Sequence, residues 1–417
     1  MARGLPLFLA LLGTAVAAQT ATVRGVVRDA GGAALPGASV YLSGTTRGAA
    51  ADADGRYEIA DVPPGAYRLV GSLVGYDADV RDVRLAAGAR AAVDLRLEAG
   101  TVALGDVRVE APTDRRWRKR LAWFEKALLG ESANAAATEI LNPEVLDFRL
   151  RWGTLQATAA APLVVENRAL GYRLVYDIHA FSASARRVSY DGDERFETLA
   201  PSSDAEAARW AEARERAYRG SERHLFRALL AGRAREEGFT LTVVRNDPFY
   251  GTSRGASFPA RDVMRPDTAG WGTLRVRGRL DVVFRETEDP AYLGSDWFRE
   301  RRGRVNDVQR SSLRVERGRA RIDPQGAPED PFAVTASGYL GFERLADLVP
   351  AEYAPRPAPP AAGGGAGRPD TGARSGATRW RRGPADGARA GVPAARASRG
   401  PSVPPLGLPP LTQLRYP

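Results

Sequence analysis

The chain has 417 residues, 44% of them hydrophobic, no cysteine, two histidines and a formal net charge of +10. The missing cysteine excludes disulfides, a thiol nucleophile, cysteine zinc sites and an acyl anchor on a cleavage-point cysteine, and His179 and His224 alone cannot form a three-histidine zinc site. The charge is concentrated in an arginine-rich stretch after residue 350 and in a run of Arg115, Arg116, Arg118, Lys119 and Arg120; it lacks the regular interleaving of aromatics that nucleic-acid binding uses, so no nucleic-acid partner is expected.

Residues 1–18 read as a secretory signal peptide. Arg3 is the positive start, Leu5 to Val16 the apolar core, and Ala15-Val16-Ala17 or Val16-Ala17-Ala18 the small-residue cleavage site. That core is too short to span a bilayer, and no later run approaches about 18 apolar residues. The expectation is an exported protein of the periplasm, outer membrane or cell surface.

From 20 to 98 the pattern is β throughout. Short apolar or alternating runs (Val23 to Val27, Ala38 to Leu42, Tyr57 to Ile59, Tyr67 to Gly71, Val80 to Leu85, Ala91 to Leu97) are separated by turn signals such as Asp29-Ala30-Gly31-Gly32 and Pro63-Pro64-Gly65. Such spacing predicts an antiparallel sandwich. Asp52-x-Asp54-Gly55 echoes the start of a calcium loop, but its twelfth position is Pro63 where a glutamate ligand is needed, so a hydrogen-bonded turn is expected and no metal or cofactor.

Several motifs here resemble the carboxypeptidase regulatory-like domain: Gly25-x-Val27-x-Asp29, Leu35-Pro36-Gly37-Ala38-x-Val40, Gly44-Thr45, Asp52-x-Asp54-Gly55-x-Tyr57, Pro64-Gly65-x-Tyr67-x-Leu69 and Val74-Gly75-Tyr76. Ala51 stands where that family usually has threonine. The resemblance implies a transthyretin-like, seven-stranded sandwich with a carbohydrate-binding-like fold. Tyr41, Tyr57, Tyr67 and Tyr76 are then the candidates for binding a glycan or an envelope protein, although their spacing suits core packing equally well. The zinc chemistry of carboxypeptidases does not follow, because neither histidine begins a His-x-x-Glu motif: Ser182 follows His179 and Arg227 follows His224 at that spacing. The module also opens TonB-dependent receptors, and Leu104 to Val109 resembles their joining segment, but the alternating segments of about 10 residues that a barrel needs are missing.

Residues 99–112 read as a linker and 113–353 as an α+β region. A helix is predicted from Thr113, its N-cap, to Leu129, with Trp117, Leu121, Phe124 and Leu128 in one stripe. That stripe faces a core or, with its basic flanks, lies on an anionic membrane as a peripheral outer-membrane contact. Phe148 to Ala157, Leu170 to Phe181, Phe239 to Val244, Leu274 to Phe284 and Leu313 to Ile322 read as strands. In the second of these Tyr172, Leu174, Tyr176, Ile178 and Ala180 form one face and put His179 on the other. Ser203 to Gly232 reads as a long helix capped by Ser203 or Asp204 and kinked at Gly220-Ser221; Ser221 and His224 lie three apart without an evident acid. Leu129-Gly130-x-Ser132-x-Asn134-Ala135, Leu141-Asn142-Pro143, Glu166-Asn167-x-Ala169-Leu170-Gly171-Tyr172, Gly220-Ser221 and His224 resemble a group of exported Bacteroidetes-type proteins, a likeness that implies architecture and no chemistry. Residues 354–417, rich in Pro, Gly, Ala and Arg, read as a disordered tail.

The fold class expected is mainly β with α: an N-terminal β-sandwich, then an α+β domain. The function expected is binding or scaffolding without enzymatic activity. The alternatives are an outer-membrane transport or assembly accessory, and a hydrolase using paired carboxylates.

Overall fold

The computed structural model describes residues 20–100, 114–185, 187–247, 251–257, 260–268, 270–295 and 308–355. The predicted signal peptide, most of the linker, Thr113 and nearly all of the predicted tail lie outside the described residues.

The sandwich contains β1 (Ala21–Asp29), β2 (Ser39–Leu42), β3 (Gly48–Ala50), β4 (Arg56–Val62), β5 (Gly65–Ser72), β6 (Tyr76–Asp77), β7 (Asp79–Leu85), β8 (Arg90–Ala92) and β9 (Leu95–Ala99). One sheet runs β4-β1-β9-β6 with β8 also beside β1; the other runs β3-β2-β5-β7. Alternating side chains such as Tyr57, Ile59 and Val62 meet Val40, Leu42, Tyr67 and Leu69 between them. Most pairs are antiparallel, but β1 runs parallel to β8 and β9. Between these two, Val93 N still donates to Arg24 O at 2.8 Å, but Val93 O accepts from Tyr57 Oη at 2.6 Å and the Asp94 side chain takes over the ladder, its Oδ1 accepting from Val26 N at 2.9 Å. The Asp52 turn closes on itself, Oδ1 accepting from Asp54 N at 2.9 Å and Arg56 N at 2.8 Å. In this turn Gly55 (φ +74°) lies where a Cβ would come 2.6 Å from Val27 O.

The next layer is a six-stranded sheet of β10 (Thr138–Ile140), β11 (Leu146–Arg151), β12 (Thr154–Ala159), β13 (Leu163–Asn167), β14 (Tyr172–Ala183) and β15 (Val188–Thr198). The helix α1 (Arg115–Leu129) starts at Asp114, whose side chain accepts from Arg116 N, and stops at Gly130 (φ +98°). Its stripe faces the protein: Phe124 and Leu128 are fully buried, and Phe124 packs 4.6 Å from Phe181. Trp117 Nε1 and Arg120 Nη1 donate to Leu146 O and Phe148 O, so the helix covers the free carbonyls of the edge strand β11.

The predicted long helix is two, α2 (Asp204–Tyr218) and α3 (Glu222–Leu230). Gly220 (φ +86°) makes the break, and a Cβ there would lie 2.4 Å from Gln309 Oε1. Ser203 caps α2 and Ser221 caps α3. A second core forms on α3, where Leu225, Phe226 and Leu229 meet Phe239, Leu280, Val282 and Phe284. Its strands are β16 (Phe239–Asp247), β17 (Gly251–Ser257), β18 (Met264–Pro266), β19 (Gly272–Arg275), β20 (Arg279–Phe284), β21 (Gln309–Val315), β22 (Arg319–Ile322) and β23 (Val334–Gly338), with the short helices α4 (Ala260–Val263), α5 (Pro290–Gly294) and α6 (Tyr339–Phe342).

Three runs predicted as single strands are each two. Trp152-Gly153 turns β11 into β12; Gly278 separates β19 from β20, and Arg317-Gly318 separates β21 from β22. In the last two cases the ribbon passes from a three-stranded sheet (β18-β19-β22) into a five-stranded one (β17-β16-β20-β21-β23). The predicted alternation of β14 also fails at one point. Ile178 pairs with Gly192 and Ala180 with Asp191, so His179 is the extra residue of a β-bulge. Beyond it the faces exchange, leaving Ala180 exposed and Phe181 buried.

Candidate functional site: the junction of the sandwich with the α+β region

The loop after β2 is the centre of the junction. Gly44 N donates to Glu194 O (2.7 Å), Phe196 N to Thr45 O (3.0 Å) and Ala351 N to Gly44 O (2.7 Å). The loop therefore lies between β15 and the C-terminal segment as an extra strand edge. Thr45 is fully buried, with its hydroxyl donating to Leu42 O at 2.7 Å. Glu352 Oε1 accepts from Thr46 N at 2.8 Å.

Beside the loop, Arg68 of β5 reaches the β14–β15 hairpin. Its Nε lies 2.8 Å from Asp193 Oδ1, and Nη2 donates to Gly192 O at 2.5 Å. The Asp193 side chain is only 1% exposed, and His179 Nε2 lies 3.1 Å from its other oxygen. His179 lies two residues after Asp177, which pairs with Asp193 across the hairpin. Gly192 permits the approach: a Cβ there would come 2.3 Å from Asp177 O. Arg195 completes this side, donating to Ser39 Oγ at 2.7 Å and stacking 5.5 Å above the Tyr41 ring.

A cluster of buried ionisable groups lies near the loop. Burial pushes the Glu194 carboxyl up to about 7, against the pull of Arg223 and Arg68. The Glu222 carboxyl also rises to about 7 through burial, again opposed by Arg223. Burial lowers the Arg223 guanidinium. Nearby, Arg227 of α3 donates to Gln325 O at 2.9 Å, Tyr353 O at 2.7 Å and Ala351 O at 2.5 Å, tying α3 to the turn after β22 and to the C-terminal segment. Gln325 in turn donates to the Tyr67 hydroxyl of the sandwich.

The two histidines do different work. His224 is 6% exposed; its Nδ1 accepts from Gly220 N at 3.0 Å, and Nε2 bonds Glu237 Oε2 at 3.0 Å. Burial holds its pKa below the ordinary value. Ser221 meets only its backbone, accepting from His224 N, and donates its hydroxyl to Tyr218 O. With both ring nitrogens engaged elsewhere, Ser221, His224 and Glu237 do not form a nucleophile–base pair.

The sequence candidates are not gathered into an open platform. Tyr41, Tyr57 and Tyr67 are 7%, 4% and 5% exposed, and Tyr76 is half-buried. Tyr57 bonds Val93 O and Tyr67 bonds Pro63 O, so their alternation served core packing. Tyr57 borders a recess, an open groove of about 530 Å³ that Arg24, Asp52, Arg56 and Glu58 also line. The residues of the second set of motifs make structural bonds. Asp347 accepts from Ser132 Oγ (2.7 Å) and Asn134 Nδ2 (3.0 Å), and Asn167 Nδ2 donates to Ala346 O (2.8 Å). No group of three or more metal-binding side chains occurs among the described residues.

Against this geometry the comparisons are specific for one segment. Residues 22–98 match the family model of the carboxypeptidase regulatory-like domain. The sandwich is thus a carboxypeptidase regulatory-like domain. No curated protein matches the chain. Among solved structures, a chain of a type II cohesin–X–dockerin complex from Acetivibrio cellulolyticus is 25% identical over 20% of this chain and 62% of its own length, with a TM-score of 0.19. A protein of Bacteroides uniformis, named for carbohydrate binding, is 8% identical over 43% of this chain and 100% of its own, with a TM-score of 0.17. A streptococcal ancillary pilin is 12% identical over 43% of this chain and 60% of its own, again with a TM-score of 0.17. This chain spans less than two thirds of the first and third of these.

Arg68, Asp193, Glu194, Arg223 and Glu352 had no sequence motif. The one usable signal was Gly44-Thr45, conspicuous within the regulatory-like pattern but silent about its partners.

Proposed function

We propose that this is an exported envelope protein in which the α+β region holds the regulatory-like domain as a binding or scaffolding module. The observation that carries the reading is the asymmetry of the sandwich. Its β3-β2-β5-β7 sheet supplies Ser39, Gly44 and Arg68 to the junction, whereas Arg24, Arg28, Glu58 and Arg96 of the other sheet are exposed. One face is thereby fixed and the other presented. The groove beside Tyr57 lies at the sandwich edge where β1, β4 and β8 of the presented sheet meet β3, and its mixed charges suit a polar partner, an envelope protein or a glycan.

Cross-linking of the full chain in the native envelope, together with a glycan array, tests this. The expected result is saturable capture of a protein or glycan that Arg24→Glu and Arg56→Glu abolish while the fold persists. Turnover of glycoside or ester substrates that Glu194→Gln removes would overturn it in favour of a hydrolase.

A further inference from the structure

The most exposed aromatic side chain among the described residues belongs to the α+β region. Trp152 is 90% exposed at the tip of the β11–β12 hairpin, and Leu150 next to it is 51% exposed. Arg151 pairs with Thr154, so Trp152 and Gly153 form the whole two-residue loop. Both have positive φ, +53° and +74°, the geometry of a type I′ turn, in which asparagine or glycine is the ordinary first residue. A bulky indole held there is strained, and it packs against no core.

Basic residues continue from this tip along β11 and the helix beside it. Arg149 and Arg151 are exposed on β11 itself. Leu155 pairs with Ala183, so the β14–β15 turn with its exposed Arg187 lies at the same end of the sheet. The helix α1 lies along β11, held by Trp117 and Arg120, and leaves Arg115, Arg116, Arg118 and Lys119 exposed beside the same edge. The acids interspersed here are Asp114, Glu125, Glu144 and Asp147, fewer than the basic residues.

We propose that this edge docks on an anionic phospholipid surface. Trp152 and Leu150 enter the headgroup layer, where an indole is favoured, and the arginines and Lys119 meet the lipid phosphates. The apolar stripe of α1 is used in the core, so the helix supplies charge and the hairpin supplies the anchor. This inference does not rest on the binding role proposed for the sandwich.

The test uses the full chain with vesicles of phosphatidylcholine, with and without phosphatidylglycerol. Cosedimentation with the anionic vesicles alone is expected, reduced by high salt. Trp152→Ala should weaken it on the order of tenfold with thermal stability unchanged, and Arg149→Glu with Arg151→Glu should weaken it further. Equal binding by Trp152→Ala would overturn the proposal, as would equal binding to neutral vesicles. So would a preference for soluble polyphosphate or an anionic polysaccharide over vesicles, since that identifies a polymer partner.

Discussion

Arg68 and Asp193 meet at 2.8 Å across the seam between the sandwich and the β14–β15 hairpin, with the acid almost wholly withdrawn from solvent. Removing Arg68 leaves this buried acid with His179 as its remaining close partner. Arg68→Ala should therefore cost about 3 kcal/mol in urea unfolding, whereas Arg68→Met combined with Asp193→Leu should recover most of it. A loss under about 0.5 kcal/mol, the range of ordinary surface substitutions, would mean the pair is not holding the seam.

The junction should also respond to pH. Glu194 and Glu222 hold their protons up to about 7 in the folded protein, against an ordinary value of 4.5. The unfolded chain releases those protons earlier, so stability is fully present below 4.5 and declines as pH rises through 7. Glu194→Gln should flatten that decline and raise the melting temperature at pH 8. A melting profile that climbs between pH 5 and pH 8 in the unmodified protein would contradict this assignment.

His224 acts in the opposite sense. Its folded pKa lies below the ordinary 6.5, among Glu237, Arg219 and Glu286, so the unfolded chain takes up a proton first as pH falls. Protonating Nδ1 also removes the acceptor of Gly220 N. Acidification below the ordinary imidazole range should loosen the α2–α3 corner, seen as faster amide exchange at Gly220. Unchanged exchange there down to pH 5 would argue against it.

Gly220→Ala tests that corner directly. A Cβ would stand 2.4 Å from Gln309 Oε1 and 2.8 Å from the Phe284 ring, at a φ of +86°. The cost should exceed about 1 kcal/mol by thermal unfolding, the upper range of the conformational gain when alanine replaces glycine at a permissive site.

Tyr57→Phe separates packing from recognition. It leaves Val93 O without its hydroxyl donor and should cost about 1 kcal/mol of stability. A loss of partner binding with stability intact would instead make the hydroxyl a ligand contact.

The sandwich was readable because its turn glycines and alternating apolar residues are local signals. The break at Gly220 and the self-closed Asp52 turn were readable for the same reason, whereas the cap of α1 is Asp114 and not the predicted Thr113. The bulge at His179 was not, since one extra residue reverses the faces of β14 without altering its composition. Nor was the turn at Trp152, where the sequence puts a residue that ordinarily avoids positive φ. The junction was the least legible part, because Gly44, Arg68, Asp193 and Ala351 come from four distant segments and each is an unremarkable residue within its own.

The central claim is that the regulatory-like domain and the α+β region form one cooperative body, and scanning calorimetry of the full chain with its Arg68→Ala variant tests it most directly. The account predicts a single endotherm for the unmodified protein and a separate, earlier transition of the sandwich when Arg68 is lost. Two resolved transitions in the unmodified protein, with Arg68→Ala moving neither, would contradict it.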